Sequence, residues 1–159
     1  MINVVYISIE GNTNHFVHLI RDYASKQHRQ NAKQPLIHIK RITNQTDLFQ
    51  ISDPYFCFIP TYIEGGDTTM DIAMQTEKPK EIETLTMHEL LGYRHNYRNC
   101  LGLVGSGNRN FNYLYCYTAK LYSSEYQIPL IDDYELRGTS ADVKRIYQSL
   151  KQQTRRYQK

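Results

Sequence analysis

Six consecutive residues, Tyr55-Phe56-Cys57-Phe58-Ile59-Pro60, carry no charge, and they restrict the fold more than any other feature of the chain. The run is far shorter than the roughly 20 apolar residues that cross a bilayer, and it lacks the polar alternation of a strand with one solvated face. A strand of this kind is covered on both sides, so it belongs in the middle of a sheet layered with helices. Pro60 has no amide hydrogen to give to a ladder, and the strand is expected to stop there.

The remaining pattern fits that centre. Residues 3–9 form a second short run rich in β-branched and aromatic types, and after it Phe16, Leu19, Ile20 and Tyr23 fall at the spacing of a helical stripe. Residues 35–42 alternate apolar and polar, which suits a strand near a sheet edge, while residues 99–105 and 129–136 supply a fourth and a fifth. Gly138 breaks the chain. Thr139 with Asp142 three positions on then predicts a capped helix whose stripe is Val143, Ile146, Tyr147 and Leu150. Strands alternating with helices predict an α/β fold: a five-stranded parallel sheet with right-handed crossovers and helices on both faces. At 159 residues one domain over 1–159 is expected, with a basic end to its last helix. Residues 64–97 offer no convincing strand; a helix over about 85–93 fills part of the interval and leaves a long loop after the central strand.

Composition excludes several classes. With 40% apolar and 22% charged residues and no long apolar stretch, the chain reads as non-membrane, and Met1 runs straight into a strand pattern without a basic leader. Cys57, Cys100 and Cys116 are odd in number and widely spaced, which suits reduced thiols in a cytoplasmic setting rather than a disulfide framework. The net charge of +3 gathers toward Lys144, Arg145, Lys151, Arg155, Arg156 and Lys159, but no base-stacking motif accompanies it, so the pattern speaks against a nucleic-acid partner. His15 and His18 lack a third metal ligand, and His88-Glu89-Leu90-Leu91-Gly92 has glycine where a zinc helix needs its second histidine. No metal held by the chain itself is expected.

In an open parallel sheet, ligands sit outside the carboxyl ends of the strands, where the strand order reverses. Three polar, glycine-containing turns take such positions: residues 8–14, 61–68 and 105–111. The first places hydroxyls, an amide side chain and backbone N–H groups at a helix start, which is an anion site in outline. It has neither the Gly-Lys-Ser/Thr ending of a triphosphate loop nor the three-glycine dinucleotide fingerprint, which argues for a monophosphate.

Ser8-x-x-x-Asn12-Thr13-x-x-Phe16 resembles the phosphate loop of flavodoxin-like proteins, and Gly105-Ser106-Gly107-Asn108-Arg109-Asn110-Phe111 resembles a signature of the NrdI family. Pro60-Thr61-Tyr62 with Gly65-Gly66 is similar to that family's second flavin loop, and Tyr134-Glu135-Leu136-Arg137-Gly138-Thr139 is similar to its closing motif. The resemblance spans nearly the whole chain. It implies a flavodoxin-like three-layer sandwich that binds flavin mononucleotide (FMN). When reduced by a partner reductase, the flavin would meet dioxygen and supply an oxidant to the dimanganese small subunit of class Ib ribonucleotide reductase. Such a protein is a redox activator more than a turnover enzyme, with flavin chemistry in place of catalytic side chains and with the metal on the partner. Carried over residue by residue, Ser8, Asn12 and Thr13 would hold the phosphate, with Glu10, Gly11 and Asn14 in the same loop. Thr61, Tyr62, Gly65 and Gly66 would border the ring, and Gly105, Gly107, Asn108, Arg109, Asn110 and Phe111 would close its other side. Asn112 departs from the family, which usually has glycine after this phenylalanine, and the Glu10 carboxylate must point away from a phosphate.

Residue chemistry gives these roles separate reasons. Glycine beside a flavin lets a backbone group turn toward the ring nitrogen that is protonated on reduction. Tyr62 and Phe111 could stack on the ring, and Arg109 would favour an anionic reduced flavin. Tyr113, Tyr115, Tyr117, Tyr122 and Tyr126 crowd one predicted helix, either as a phenol-rimmed surface or as a partner face. Two other functions fit the same residues: a general one-electron carrier of the flavodoxin type, or a scaffold without cofactor that binds a protein or nucleic acid through its tyrosines and basic tail.

Overall fold

The computed structural model describes residues 1–62 and 84–158. Five strands form one parallel sheet: β1 (Ile2–Ile7), β2 (Ile37–Ile42), β3 (Tyr55–Pro60), β4 (Cys100–Gly107) and β5 (Leu130–Glu135), in the order β2-β1-β3-β4-β5. The helices are α1 (Asn12–Gln30), α2 (Leu85–Gly92), α3 (Tyr117–Tyr126) and α4 (Ser140–Tyr157), with 3-10 segments at Tyr93–Asn99 and Arg109–Leu114. β3 is central and buried along its whole length, and it ends at Pro60 as the missing amide requires.

Register explains how one strand serves two cores. Val4 pairs with Phe56 and Tyr6 with Phe58, and these face a layer with Phe16, Val17 and Ile20 of α1 and Val143, Ile146 and Tyr147 of α4. Val5 pairs with Cys57, and these face the opposite layer with Met87 and Leu91 of α2 and Ala119 and Tyr122 of α3. Burying a side chain such as Phe56 or Phe58 contributes about 1.5–3 kcal/mol, so this alternation supplies much of the drive for a three-layer fold. β2 alternates between buried Ile37 and Ile42 and exposed His38, Lys40 and Arg41. That is the pattern of an edge strand with one solvated face.

The α1 stripe differs in detail from the sequence expectation. Leu19 is 39% exposed, and Val17 and Ala24 join Phe16 and Ile20 against the sheet, because the buried face is rotated toward Val17. α4 follows expectation, with Val143, Ile146, Tyr147 and Leu150 buried and a full Thr139/Asp142 capping box. Ahead of that cap Gly138 takes φ +67, and a Cβ there would stand 2.4 Å from the Phe16 ring, so only glycine fits. The single tyrosine-rich helix is not formed. Asn112 (φ 49) and Cys116 (φ 55) turn the backbone, leaving Tyr113 and Tyr115 in a 3-10 segment and starting α3 at Tyr117. Among the described residues no helix is long and apolar enough to cross a membrane.

Candidate functional site

Strand order reverses between β1 and β3, and the loops that leave their carboxyl ends meet there. The β1–α1 loop is built to present a bare helix start. Gly11 at the N-cap takes φ 91, ψ −10, a left-handed turn that glycine adopts without strain, and it has no side chain with which to cap the helix. Ser8 supplies part of what is missing: its Oγ accepts from the Asn14 amide at 3.1 Å. The Asn12 and Thr13 amides lie in the same first turn, at the positive end of a 19-residue helix. Backbone N–H groups and the helix dipole together favour an anion at this place.

Ser8 and Thr13 are buried, Asn12 is half-buried, and the Glu10 side chain is exposed, so its carboxylate can stand clear of an anion. The Asn14 side chain is turned toward β1, where its Oδ1 accepts from the Tyr6 hydroxyl at 2.7 Å. Burial raises the Tyr6 phenol above its usual range, while Arg41 and Arg21 oppose the shift. Arg41 was not anticipated. From the end of β2 its guanidinium donates to the Ser8 carbonyl at 3.0 Å, which fixes the loop and sets a cation beside it. The sequence offered a signal in retrospect, since an arginine at the last polar position of an edge strand lies beside the neighbouring strand's carboxyl end.

The β3 loop reaches the first loop directly. Tyr62 is half-buried, and its hydroxyl accepts from the Glu10 amide at 3.2 Å. Thr61 Oγ1 is buried and has no hydrogen-bond partner among the described residues. Gly65 and Gly66 lie outside the described residues.

After β4 the chain makes its third turn. Asn108 caps the 3-10 segment, its side-chain oxygen accepting from the Asn110 amide at 2.9 Å. Gly107 and Phe111 are half-buried and Asn110 is exposed. Gly105 has a packing reason of its own: a Cβ there would meet Ala119 and Cys116 at 3.0 Å, so it lets α3 approach β4. Arg109 is engaged with β5 and Tyr115, with Nε 3.4 Å from Glu135, Nη2 4.0 Å from Asp133, and the guanidinium 5.3 Å from the Tyr115 ring. At 66% side-chain exposure these pairs are worth little in energy, but they offset its charge locally. Asp133 also accepts from the Tyr115 hydroxyl at 2.7 Å, and burial followed by that bond raises the Tyr115 phenol.

One residue of the edge was seen only as part of the closing motif. Tyr134 on β5 is 1% exposed, and its hydroxyl has no hydrogen-bond partner among the described residues. Two orphaned hydroxyls, Thr61 and Tyr134, thus sit at an edge that also carries a bare helix start. Buried polar groups are ordinarily paired, and an edge that leaves two open fits a polar ligand.

Comparison with known proteins identifies the family and the fold. Residues 4–157 match the family model described as NrdI flavodoxin like. The chain belongs to the NrdI family. It is 39% identical to an NrdI-like protein of Streptococcus pneumoniae over 146 residues, 91% of this chain and 89% of that protein. It is 29% identical to Protein NrdI of Mycoplasmopsis pulmonis over 90% of this chain and 79% of that one. Among solved structures, a short-chain flavodoxin associated with a non-canonical PDU bacterial microcompartment superposes with a TM-score of 0.61 at 16% identity, covering 97% of this chain and 96% of that one. Oxidised flavodoxin 1 of Bacillus cereus gives 0.55 at 12% identity, over 97% of each chain. These likenesses establish a flavodoxin-like α/β fold, as the resemblance of the loop motifs implies.

Proposed function

We propose that this family member binds FMN at the carboxyl edge of its sheet and, once reduced by a partner reductase, supplies an oxidant to the dimanganese subunit of a class Ib ribonucleotide reductase. The observation that carries the reading is the meeting of the β1 and β3 loops, through the Glu10 amide and the Tyr62 hydroxyl, at the reversal of a 2-1-3-4-5 sheet, beside an α1 start that its own N-cap leaves bare. The phosphate would rest on the Asn12 and Thr13 amides and the Thr13 hydroxyl, with Ser8 and Arg41 holding the loop in shape. Tyr62 and Phe111 would flank the ring. Asn108 would keep the third turn in place through its bond to the Asn110 amide. When bound, the flavin supplies the electron-transfer and dioxygen chemistry, and the chain's residues orient it, shield it from water and set the charge around it. The Arg109 charge is partly offset by Glu135 and Asp133, so Arg41 is the nearer source of positive field for the phosphate end.

An absorption titration of flavin-free protein is the decisive first experiment. FMN is expected to bind with a shifted visible spectrum, and riboflavin, which lacks the phosphate, is expected to bind far more weakly. A protein that takes up neither would refute the reading. The partner half is tested by adding reduced, FMN-loaded protein and dioxygen to the manganese-loaded subunit and following radical formation. Efficient electron exchange with several reductases and no effect on the subunit would instead identify a general carrier.

A further inference from the structure

Tyr134 combines two properties that seldom occur together. Its ring is fixed, stacked on Phe16 of α1 with centroids 3.8 Å apart and planes 16° from parallel. Its hydroxyl is buried and open. Burial raises the phenol's pKa, and the Ser106 and Thr13 hydroxyls, which lie close by, counter that rise without either completing a hydrogen bond of good geometry. An unsatisfied buried hydroxyl is destabilising, and phenylalanine would keep the ring stack without that cost. The oxygen therefore calls for a use.

Thr13 points to one. It stands in the first turn of α1 and is 1% exposed, and a hydroxyl can donate one hydrogen bond while accepting others. We propose that Tyr134 is a positioning residue for the phosphate end of the ligand: when the Thr13 O–H turns to donate to a phosphate oxygen, Thr13 Oγ1 accepts from the Tyr134 O–H. This inference rests on the reading that a phosphate seats on α1. The two bonds run in one direction, phenol to threonine and threonine to phosphate, so each polarises the other. Ser106, the other neighbour, belongs to β4 and not to the helix that presents the anion site. The open hydroxyl of the ligand-free protein is then the group that ligand binding completes, which links stability and affinity with opposite signs.

Tyr134→Phe tests this, with flavin-free melting temperature and binding of FMN, riboflavin and inorganic phosphate as readouts. The variant is expected to melt at or above the parent temperature and to bind FMN about fivefold more weakly, the worth of one ordinary hydrogen bond. Riboflavin affinity is expected to stay unchanged, and the rise in melting temperature produced by inorganic phosphate is expected to shrink. In a Thr13→Val background the substitution is expected to cause no additional loss of FMN affinity. Unchanged FMN affinity, an equal loss for FMN and riboflavin, or additive effects of the two substitutions would each overturn the proposal. A parent protein that binds no FMN would instead overturn the proposed function, so the two failures are distinguishable.

Discussion

The two ends of the sheet treat buried polar groups in opposite ways. At the amino end Asn96 is 1% exposed and fully engaged: Oδ1 accepts from the Ile51 amide at 2.8 Å, and Nδ2 donates to the Phe49 and Leu90 carbonyls at 2.9 and 2.8 Å. Its own carbonyl accepts from the Tyr55 hydroxyl at 3.2 Å, and Asn99 donates to the Ile51 carbonyl at 2.8 Å nearby. At the carboxyl end Thr61 and Tyr134 keep buried hydroxyls without partners among the described residues. The chain can close a polar network where only stability is at stake. Thr118 on α3 also keeps an unpaired hydroxyl, so open groups alone do not define a site; Thr61 and Tyr134 stand out because they lie near the bare start of α1.

The largest effect expected from this contrast is at Asn96. Asn96→Ala removes three side-chain hydrogen bonds and strands two carbonyls and an amide, so a loss of about 3–5 kcal/mol is expected in urea unfolding. FMN affinity measured on the fraction that remains folded should not change. A loss below about 1 kcal/mol would show that water replaces the asparagine and that the amino end is less closed than its geometry indicates.

Next in size is an alkaline weakening that reports the dry interior between the two ends. Burial pushes the Cys116 thiol up to about 12 and also raises the Cys57 thiol, with Cys100 adding to the Cys57 shift. Unfolded thiols lose their protons near the ordinary value while the folded ones keep theirs, so the unfolded state binds fewer protons above that point. Stability is therefore full below about pH 8.5 and falls as pH rises toward 12, by at most about 1.4 kcal/mol per pH unit for each thiol. Urea midpoints at pH 8, 9 and 10 measure the slope. A flat profile, or rapid alkylation of native Cys116 at pH 8, would place water beside α3.

The same contrast explains what could be read from the sequence. β3 was legible to the residue because an uncharged run closed by proline has few alternative folds, and α4 was legible because Thr139 and Asp142 cap locally. The three loop motifs fall after β1, β3 and β4, at the carboxyl ends of their strands, as the strand-helix alternation predicts. The Arg41 contact with the Ser8 carbonyl and the open hydroxyl of Tyr134 were not legible, since each depends on strands that only the sheet order brings together. The break in the tyrosine-rich helix was hidden for another reason. Asn112, Cys116 and Gln127 all adopt positive φ without being glycine, so composition gave no sign of the turns.

The smallest effect tests whether the carboxyl edge is strained as well as open. Asn112 takes φ 49, ψ −117, the first central position of a type II′ turn, which glycine favours and a side chain resists. Such a conformation costs about 1–3 kcal/mol in a residue with a Cβ, while glycine at an ordinary site costs about 0.5–1 kcal/mol in lost chain entropy. Asn112→Gly should therefore stabilise the flavin-free protein by about 1 kcal/mol, read as a small rise in melting temperature. If FMN affinity is unchanged, the strain is an incidental departure from the family's glycine. If affinity falls while stability rises, the asparagine holds the Asn108 turn in a shape the ligand uses, and strain joins the open hydroxyls as a property of this end of the sheet.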